Sequence, residues 1–120
     1  MDLAKFQEMT QRLVIDPMME FIIEEDDDCN DYTPEDVQKC QSLIDAYLNA
    51  LNNLAVINNE AIMAQVQRVV FALNDLNEAT DYTLIETEAR EALWEVIQTS
   101  AVACGLTDAP DDITEEWREW

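Results

Sequence analysis

The sequence predicts an all-α protein. Its 120 residues include one glycine and three prolines, and it is rich in Ala, Leu, Glu, Gln and Met, which favour helices. No segment of useful length alternates apolar and polar residues, and no Asn-Gly or Asp-Gly pair marks a hairpin. Apolar residues instead recur every three or four positions. We therefore expect a single domain, residues 1–120, folded as a bundle of four to five main helices plus a short C-terminal helix.

The N-terminal segment contains a helical pattern that a proline interrupts. Apolar residues from Leu3 to about Ile15 fall on one stripe. Pro17 opposes a regular continuation because it lacks a backbone N–H. It also suits the first turn of a second helix, Met18 to Glu24, with Asp16 as N-cap. One kinked helix and two short helices both fit this pattern.

The next helix has the strongest pattern in the chain. Thr33 is a good N-cap, Pro34 suits the first helical position, and the acids Glu35 and Asp36 complement the positive end of the helix dipole. The apolar stripe that follows comprises Val37, Cys40, Ile44, Tyr47, Leu48, Leu51 and Leu54. The spacing predicts a helix that ends near Leu54.

Two further helices are predicted in the second half. The first begins after Asn58 or Asn59 and ends around residues 78–81. Its predicted buried face comprises Ile62, Val66, Val69, Val70, Leu73 and Leu76. The second has Thr87 as a candidate N-cap and Gly105 as a candidate C-terminal cap.

A short helix is predicted at the C-terminus. Three large apolar residues there have helical spacing: Ile113, Trp117 and Trp120. A helix with two indoles on one side is expected to pack back on the body of the bundle.

The charge of the chain limits its partners. There are 27 acidic and 6 basic side chains, so the net charge is −21. Nucleic-acid binding depends on Lys and Arg, so direct binding to nucleic acid or to an anionic membrane is not expected. No apolar run approaches the roughly 20 residues of a membrane span, and the first residues lack the basic and apolar pattern of a signal peptide, so neither feature is expected. With three cysteines, an odd number, the sequence predicts a cytoplasmic protein.

The acidic residues are concentrated in two segments, and acidic loops are the usual ligands of calcium in proteins. Residues 24–36 hold eight acids and no base, and residues 107–120 hold six acids and one arginine. An EF-hand loop requires glycine at position six, but a loop starting at Asp26 has Asp31 there and a loop starting at Glu24 has Cys29. We therefore predict no dedicated metal site, although weak divalent-cation binding remains open.

Catalysis is not expected either. The chain has no histidine, which removes Glu-x-x-His di-iron sites and the histidine-dependent triads. One glycine cannot form a glycine-rich phosphate loop. Among 27 acids some pair of carboxylates will always be close, so a carboxylate pair is not a specific signal. The sequence predicts a protein without enzymatic activity and without a cofactor.

A strongly basic protein partner explains the charge best. A net charge of magnitude about 2–8 already keeps a small domain soluble, whereas excess charge destabilises the compact state. The first candidate contacts lie in the first acidic segment: Glu25, Asp26, Asp27, Asp28 and Asp31, with Tyr32 as an adjoining anchor. The second set lies in the C-terminal segment: Asp111, Asp112, Glu115 and Glu116. The simpler alternative is a solvated surface, with Tyr and Trp covering the ends of the core.

The C-terminal part carries a resemblance. Residues 73–120 include "LIETEARE" and "DDITEEWREW" and resemble the ends of small bacterial proteins, which we associate with immunity proteins of contact-dependent and polymorphic toxin systems. Acidic, helical nuclease-immunity proteins are also similar in size and charge. The resemblance implies a bacterial cytoplasmic protein that neutralises a toxin. Neither stretch is a known functional motif, so no residue role is carried over.

Three functions therefore stand as hypotheses. The first is an inhibitor of a basic protein, such as a toxin domain of nuclease type, whose groove an acidic surface blocks. The second is a DNA mimic that sequesters a nucleic-acid-binding protein. The bunching of the acids in two short segments favours a compact inhibitor over an extended mimic. The third is a structural or oligomeric helical module, and the sequence leaves homo-oligomerisation open.

Overall fold

The computed structural model describes residues 1–24 and 32–120, and all regular structure in those ranges is helical. The elements are α1 (Leu3–Thr10), a π-helical segment (Gln11–Ile15), α2 (Asp16–Glu24), α3 (Pro34–Asn52), α4 (Asn59–Ala79) and α5 (Thr87–Cys104). Because α1, the π segment and α2 follow one another without a break, they form one helical rod, residues 3–24. The described chain therefore has four helices, and the predicted all-α class is confirmed.

The rod passes through Pro17 because the turn before it is widened. Proline has no N–H, and in a regular helix its ring collides with the carbonyl four residues earlier. Here the N–H of Asp16 donates to the carbonyl of Gln11, five residues earlier, as in a π turn. The structure thus has one continuous rod. The predicted N-cap at Asp16 is wrong, because this residue has helical φ and ψ and its carboxylate accepts a 2.7 Å bond from the Gln11 side chain.

The predicted start of α3 is confirmed. The Thr33 side chain accepts a 3.3 Å bond from the Asp36 N–H, and the Thr33 N–H donates a 3.0 Å bond to the Asp36 carboxylate. The side chain of each residue thus accepts a hydrogen bond from the backbone N–H of the other, and this reciprocal pair is a capping box. Pro34 occupies the first turn, as expected.

One of the two other helix starts differs from the prediction. The Asn58 side chain caps α4 by accepting a 2.8 Å bond from the Ala61 N–H. The N-cap of α5 is Glu86 and not Thr87, and the Glu86 side chain makes no capping bond. Gly105 ends α5 with a φ of 126°, a conformation that residues with a side chain rarely adopt, so its predicted role is confirmed.

The helices run alternately up and down around one core. Gln11 bonds to Gln41, and Tyr32 lies against Met18, so the first rod is antiparallel to α3. The Tyr47 hydroxyl donates a 3.0 Å bond to the carbonyl of Ile97 on α5. The core contains all the apolar positions predicted for α3 and α4 except Leu54, which is partly buried. Tyr32 and Leu84 line one groove, so the start of α3 lies at the end of the bundle where residues 80–86 connect α4 to α5.

The predicted C-terminal helix does not form. Residues 113–117 form turns, and their backbone bonds are mostly of the three-residue kind, such as Trp117 N–H to Thr114 O at 3.1 Å. The Asp112 carboxylate accepts bonds from both the N–H and the hydroxyl of Thr114, and such local side-chain bonds compete with a helix. The expected packing is nevertheless present, since Ile113 is buried and both indoles lie against the core.

Candidate protein-binding surface

The C-terminal tail, residues 105–120, is held on the helices by side-chain amides. Asn59 on α4 accepts a 3.0 Å bond from the N–H of Thr107 and donates a 3.1 Å bond to its carbonyl. Gln98 on α5 donates a 2.9 Å bond to the Pro110 carbonyl and accepts a 3.0 Å bond from the Ile113 N–H. Each amide therefore satisfies one donor and one acceptor of an irregular backbone.

A third amide fixes the end of the tail. Asn74 on α4 donates a 2.8 Å bond to the Trp117 carbonyl and accepts a 2.9 Å bond from the Glu119 N–H. Asn59 and Asn74 are fifteen positions apart on one helix, which corresponds to about 22 Å at 1.5 Å per residue. The tail, residues 105–120, is therefore an ordered segment that lies along the bundle, and we call it the strap.

The four predicted carboxylates of the tail fall into two groups. Asp111, Glu115 and Glu116 are exposed and have no ion pair among the described residues. The Asp112 side chain is only 23% exposed, and one of its oxygens lies 3.3 Å from both Nε and Nη2 of Arg118. The first three therefore present uncompensated charge to solvent. Asp112 builds the tail itself, and its predicted role as a contact stays a prediction.

Tyr32 lies in the core. Its ring is 6% exposed and stacks on Phe21, with the ring centroids 5.5 Å apart. Its hydroxyl donates a 3.4 Å bond to the carbonyl of Met18. These contacts give Tyr32 a packing role, and its predicted role as a partner anchor stays a prediction.

The first-choice contacts all precede Tyr32 in the sequence. Glu25, Asp26, Asp27, Asp28 and Asp31 lie outside the described residues. Among the described residues, α2 ends at Glu24, and Tyr32 lies just before the start of α3 at Pro34.

A groove of about 230 Å³ lies at this end of the bundle and was not predicted from the sequence. It separates the first rod from residues 83–89. The buried side chains that line it are Val14, Met18, Tyr32 and Leu84. Two exposed carboxylates on the α5 side complete it, those of Glu86 and Glu88. Residues far apart in the sequence meet here, so no local pattern predicts the groove.

A turn with unusual backbone geometry borders the groove. Asp81 and Tyr82 have φ values of 57° and 62°, which are uncommon for residues other than glycine. Asn77 holds the turn, because its carbonyl accepts a 2.7 Å bond from the Tyr82 N–H and its side chain accepts a 3.0 Å bond from the Ile85 N–H. Tyr82 is 59% exposed. Thr83, the next residue, lines the groove.

The described residues contain no group of three or more His, Cys, Asp or Glu side chains arranged to hold a metal ion. None of their helices is long and apolar enough to cross a membrane. Comparisons with protein-family models, with curated proteins and with solved structures found no match for this chain.

Proposed function

We propose that this chain is an acidic binding protein that neutralises a basic protein, with a cognate bacterial toxin domain of nuclease type as the partner class. The observation that carries the proposal is uncompensated charge. The net charge is −21, and the described residues contain two ion pairs, Glu8 with Arg12 and Asp112 with Arg118. The remaining carboxylates of the tail face solvent without a cation.

The chemistry of inhibition follows from this charge. A protein that cleaves nucleic acid binds phosphates with Lys and Arg, so its working surface is positive. A rigid acidic surface is attracted to such a groove, associates with it rapidly and excludes the substrate. The strap supports this role, because three amides hold its carboxylates on helices and less ordering entropy is lost on binding.

Solubility alone is a weaker explanation. Like charges repel, so each added carboxylate lowers the stability of the compact state. The tail nevertheless carries six acids against one arginine, and Asp112 already occupies that arginine. The tail thus keeps its carboxylates in an ordered position although their repulsion lowers the stability of the fold. This arrangement supports a role in binding.

A capture experiment tests the proposal. The full chain is immobilised and incubated with lysate of the native organism at low salt, and proteins eluted by stepwise salt are identified by mass spectrometry. We expect one basic protein that elutes only at high salt and whose nuclease activity the chain inhibits at equimolar concentration. The control is the Asp111→Asn, Glu115→Gln, Glu116→Gln variant, which should release it at lower salt. Recovery of many DNA-binding proteins would instead favour the DNA mimic.

A further inference from the structure

We infer that the groove between the first rod and residues 83–89 receives an arginine side chain of the basic partner, an inference that rests on the proposed function and locates one contact of it. The groove measures about 230 Å³. Sites for drug-sized ligands usually measure roughly 300–1,000 Å³. The groove is therefore smaller than a typical small-molecule site, and its size suits a single side chain.

The lining suits arginine in particular. Arginine has an apolar stem and a planar charged head. The floor of the groove offers the apolar side chains of Val14, Met18 and Leu84 to the stem. Its edge offers the carboxylates of Glu86 and Glu88 to the guanidinium, which binds carboxylates through two parallel hydrogen bonds. Arginine is also enriched at protein interfaces, where lysine is depleted.

The two carboxylates have no other described partner. Neither Glu86 nor Glu88 lies within 4 Å of a basic nitrogen in the described part of the chain. Glu86 is the N-cap of α5, yet its side chain makes no capping bond. Glu88 lies in the first turn, where the helix dipole stabilises a negative charge. The helix dipole explains why an acidic residue is tolerated at position 88. It does not provide a positively charged side chain to pair with the Glu88 carboxylate.

Two irregular backbone segments meet at the groove. The π segment supplies Leu13 and Val14 to its lining, and the turn with Asp81 and Tyr82 leads directly into Thr83. π turns and left-handed non-glycine residues are energetically unfavourable conformations, and they occur frequently at functional sites. Tyr82, the residue before Thr83, is 59% exposed, and an exposed aromatic residue is available for contact with a partner.

A peptide titration tests the inference. The probe is capped hexa-arginine, added to the full chain in about 0.15 M NaCl, where long-range attraction is screened, and followed by isothermal titration calorimetry. The variant Glu86→Gln, Glu88→Gln keeps the shape of the groove and removes its charge. Its matched control is Glu91→Gln, Glu95→Gln, which removes two exposed charges of the same helix outside the groove. We expect the groove variant to bind at least about tenfold more weakly than the control, as for loss of a charged hydrogen bond.

A second variant tests insertion itself. Ala89→Met fills the groove without a change of charge, and hexa-arginine should bind it more weakly than wild type while circular dichroism shows the helices intact. Equal loss of affinity in the two charge variants would overturn the inference, and so would undetectable binding to wild type. If Ala89→Met does not fold, the charge variants decide alone. The proposed function fails on a different result, a lysate eluate without a basic protein that the chain inhibits.

Discussion

The side-chain amide of Asn74 donates a 2.8 Å hydrogen bond to the backbone carbonyl of Trp117. Asn74 is buried on α4, and Trp117 lies in the C-terminal tail. The same amide accepts a bond from the N–H of Glu119. This pair of bonds attaches the last residues of the chain to a helix 43 positions earlier.

Asn74→Ala should loosen the end of the tail. The substitution leaves a carbonyl and an N–H without partners, which costs about 1–3 kcal/mol if they stay buried. We expect a lower urea midpoint and faster amide hydrogen exchange at Glu119. The control is Gln67→Ala, an exposed amide on the same helix, which should leave both unchanged. Unchanged exchange at Glu119 in the Asn74 variant would show that packing of the indoles alone holds the tail.

Asp112→Ala should be more destabilising than Asp111→Ala. Asp112 bonds to Thr114 and pairs with Arg118, whereas its neighbour Asp111 is exposed. We expect a loss of about 1–3 kcal/mol at Asp112, as for a charged hydrogen bond in a partly buried position, and less than about 0.5 kcal/mol at Asp111. Urea unfolding of both variants makes the comparison. Equal effects would contradict the structural role assigned to Asp112.

Most of the fold could be predicted because local signals agree with it. Two helices begin at side-chain caps whose bonds span three residues, at Thr33 and Asn58. One helix ends at the only glycine of the chain, Gly105. The tail could not be predicted, because its apolar spacing is helical while its bonds go to the distant amides of Asn74 and Gln98. A polar side chain within a buried stripe was the available signal, and it does not show which segment the amide will bind.

The surface is harder to predict for the same reason. Asp111 and Asp112 are adjacent acids in the sequence, yet one is exposed and the other is paired with an arginine. Composition finds charged segments but does not separate these roles. Glu86 and Glu88 did not stand out among 27 acids, because what distinguishes them is an apolar floor contributed mainly by the first rod and Leu84.

The exposed acids should control the rate of association with the basic partner. Neutralising Asp111, Glu115 and Glu116 with Asn and Gln should lower the association rate constant about three- to tenfold at low salt, and reduce its salt dependence. The same holds for Glu25, Asp26, Asp27, Asp28 and Asp31.

A charge-matched variant makes this test specific. Glu20→Gln, Glu60→Gln, Glu78→Gln removes three exposed charges from α2 and α4. Stopped-flow measurements at several salt concentrations compare it with the tail variant. If both triple variants slow association equally, net charge and not the strap determines the rate. Affinity that survived all five changes in residues 25–31 would remove that segment from the binding surface.

Stability should fall at alkaline pH because of Cys40. This thiol is fully buried on α3, and burial raises its pKa from 9.0 to about 12. Above pH 9 the unfolded chain loses this proton while the folded chain keeps it, so the unfolded state is favoured as pH rises toward 12. Burial raises the pKa of the Tyr47 phenol as well, which acts in the same direction.

Cys40→Ala isolates the thiol. The free energy of unfolding of wild type should fall by up to about 1.4 kcal/mol per pH unit more steeply than that of the variant between pH 9 and 10.5. The variant should start from a lower value at pH 7, since a smaller side chain leaves a cavity in the core. Urea unfolding at each pH measures the slope, which the cavity does not affect. Parallel slopes for the two proteins would mean that the Cys40 thiol has the same pKa in the folded and unfolded states.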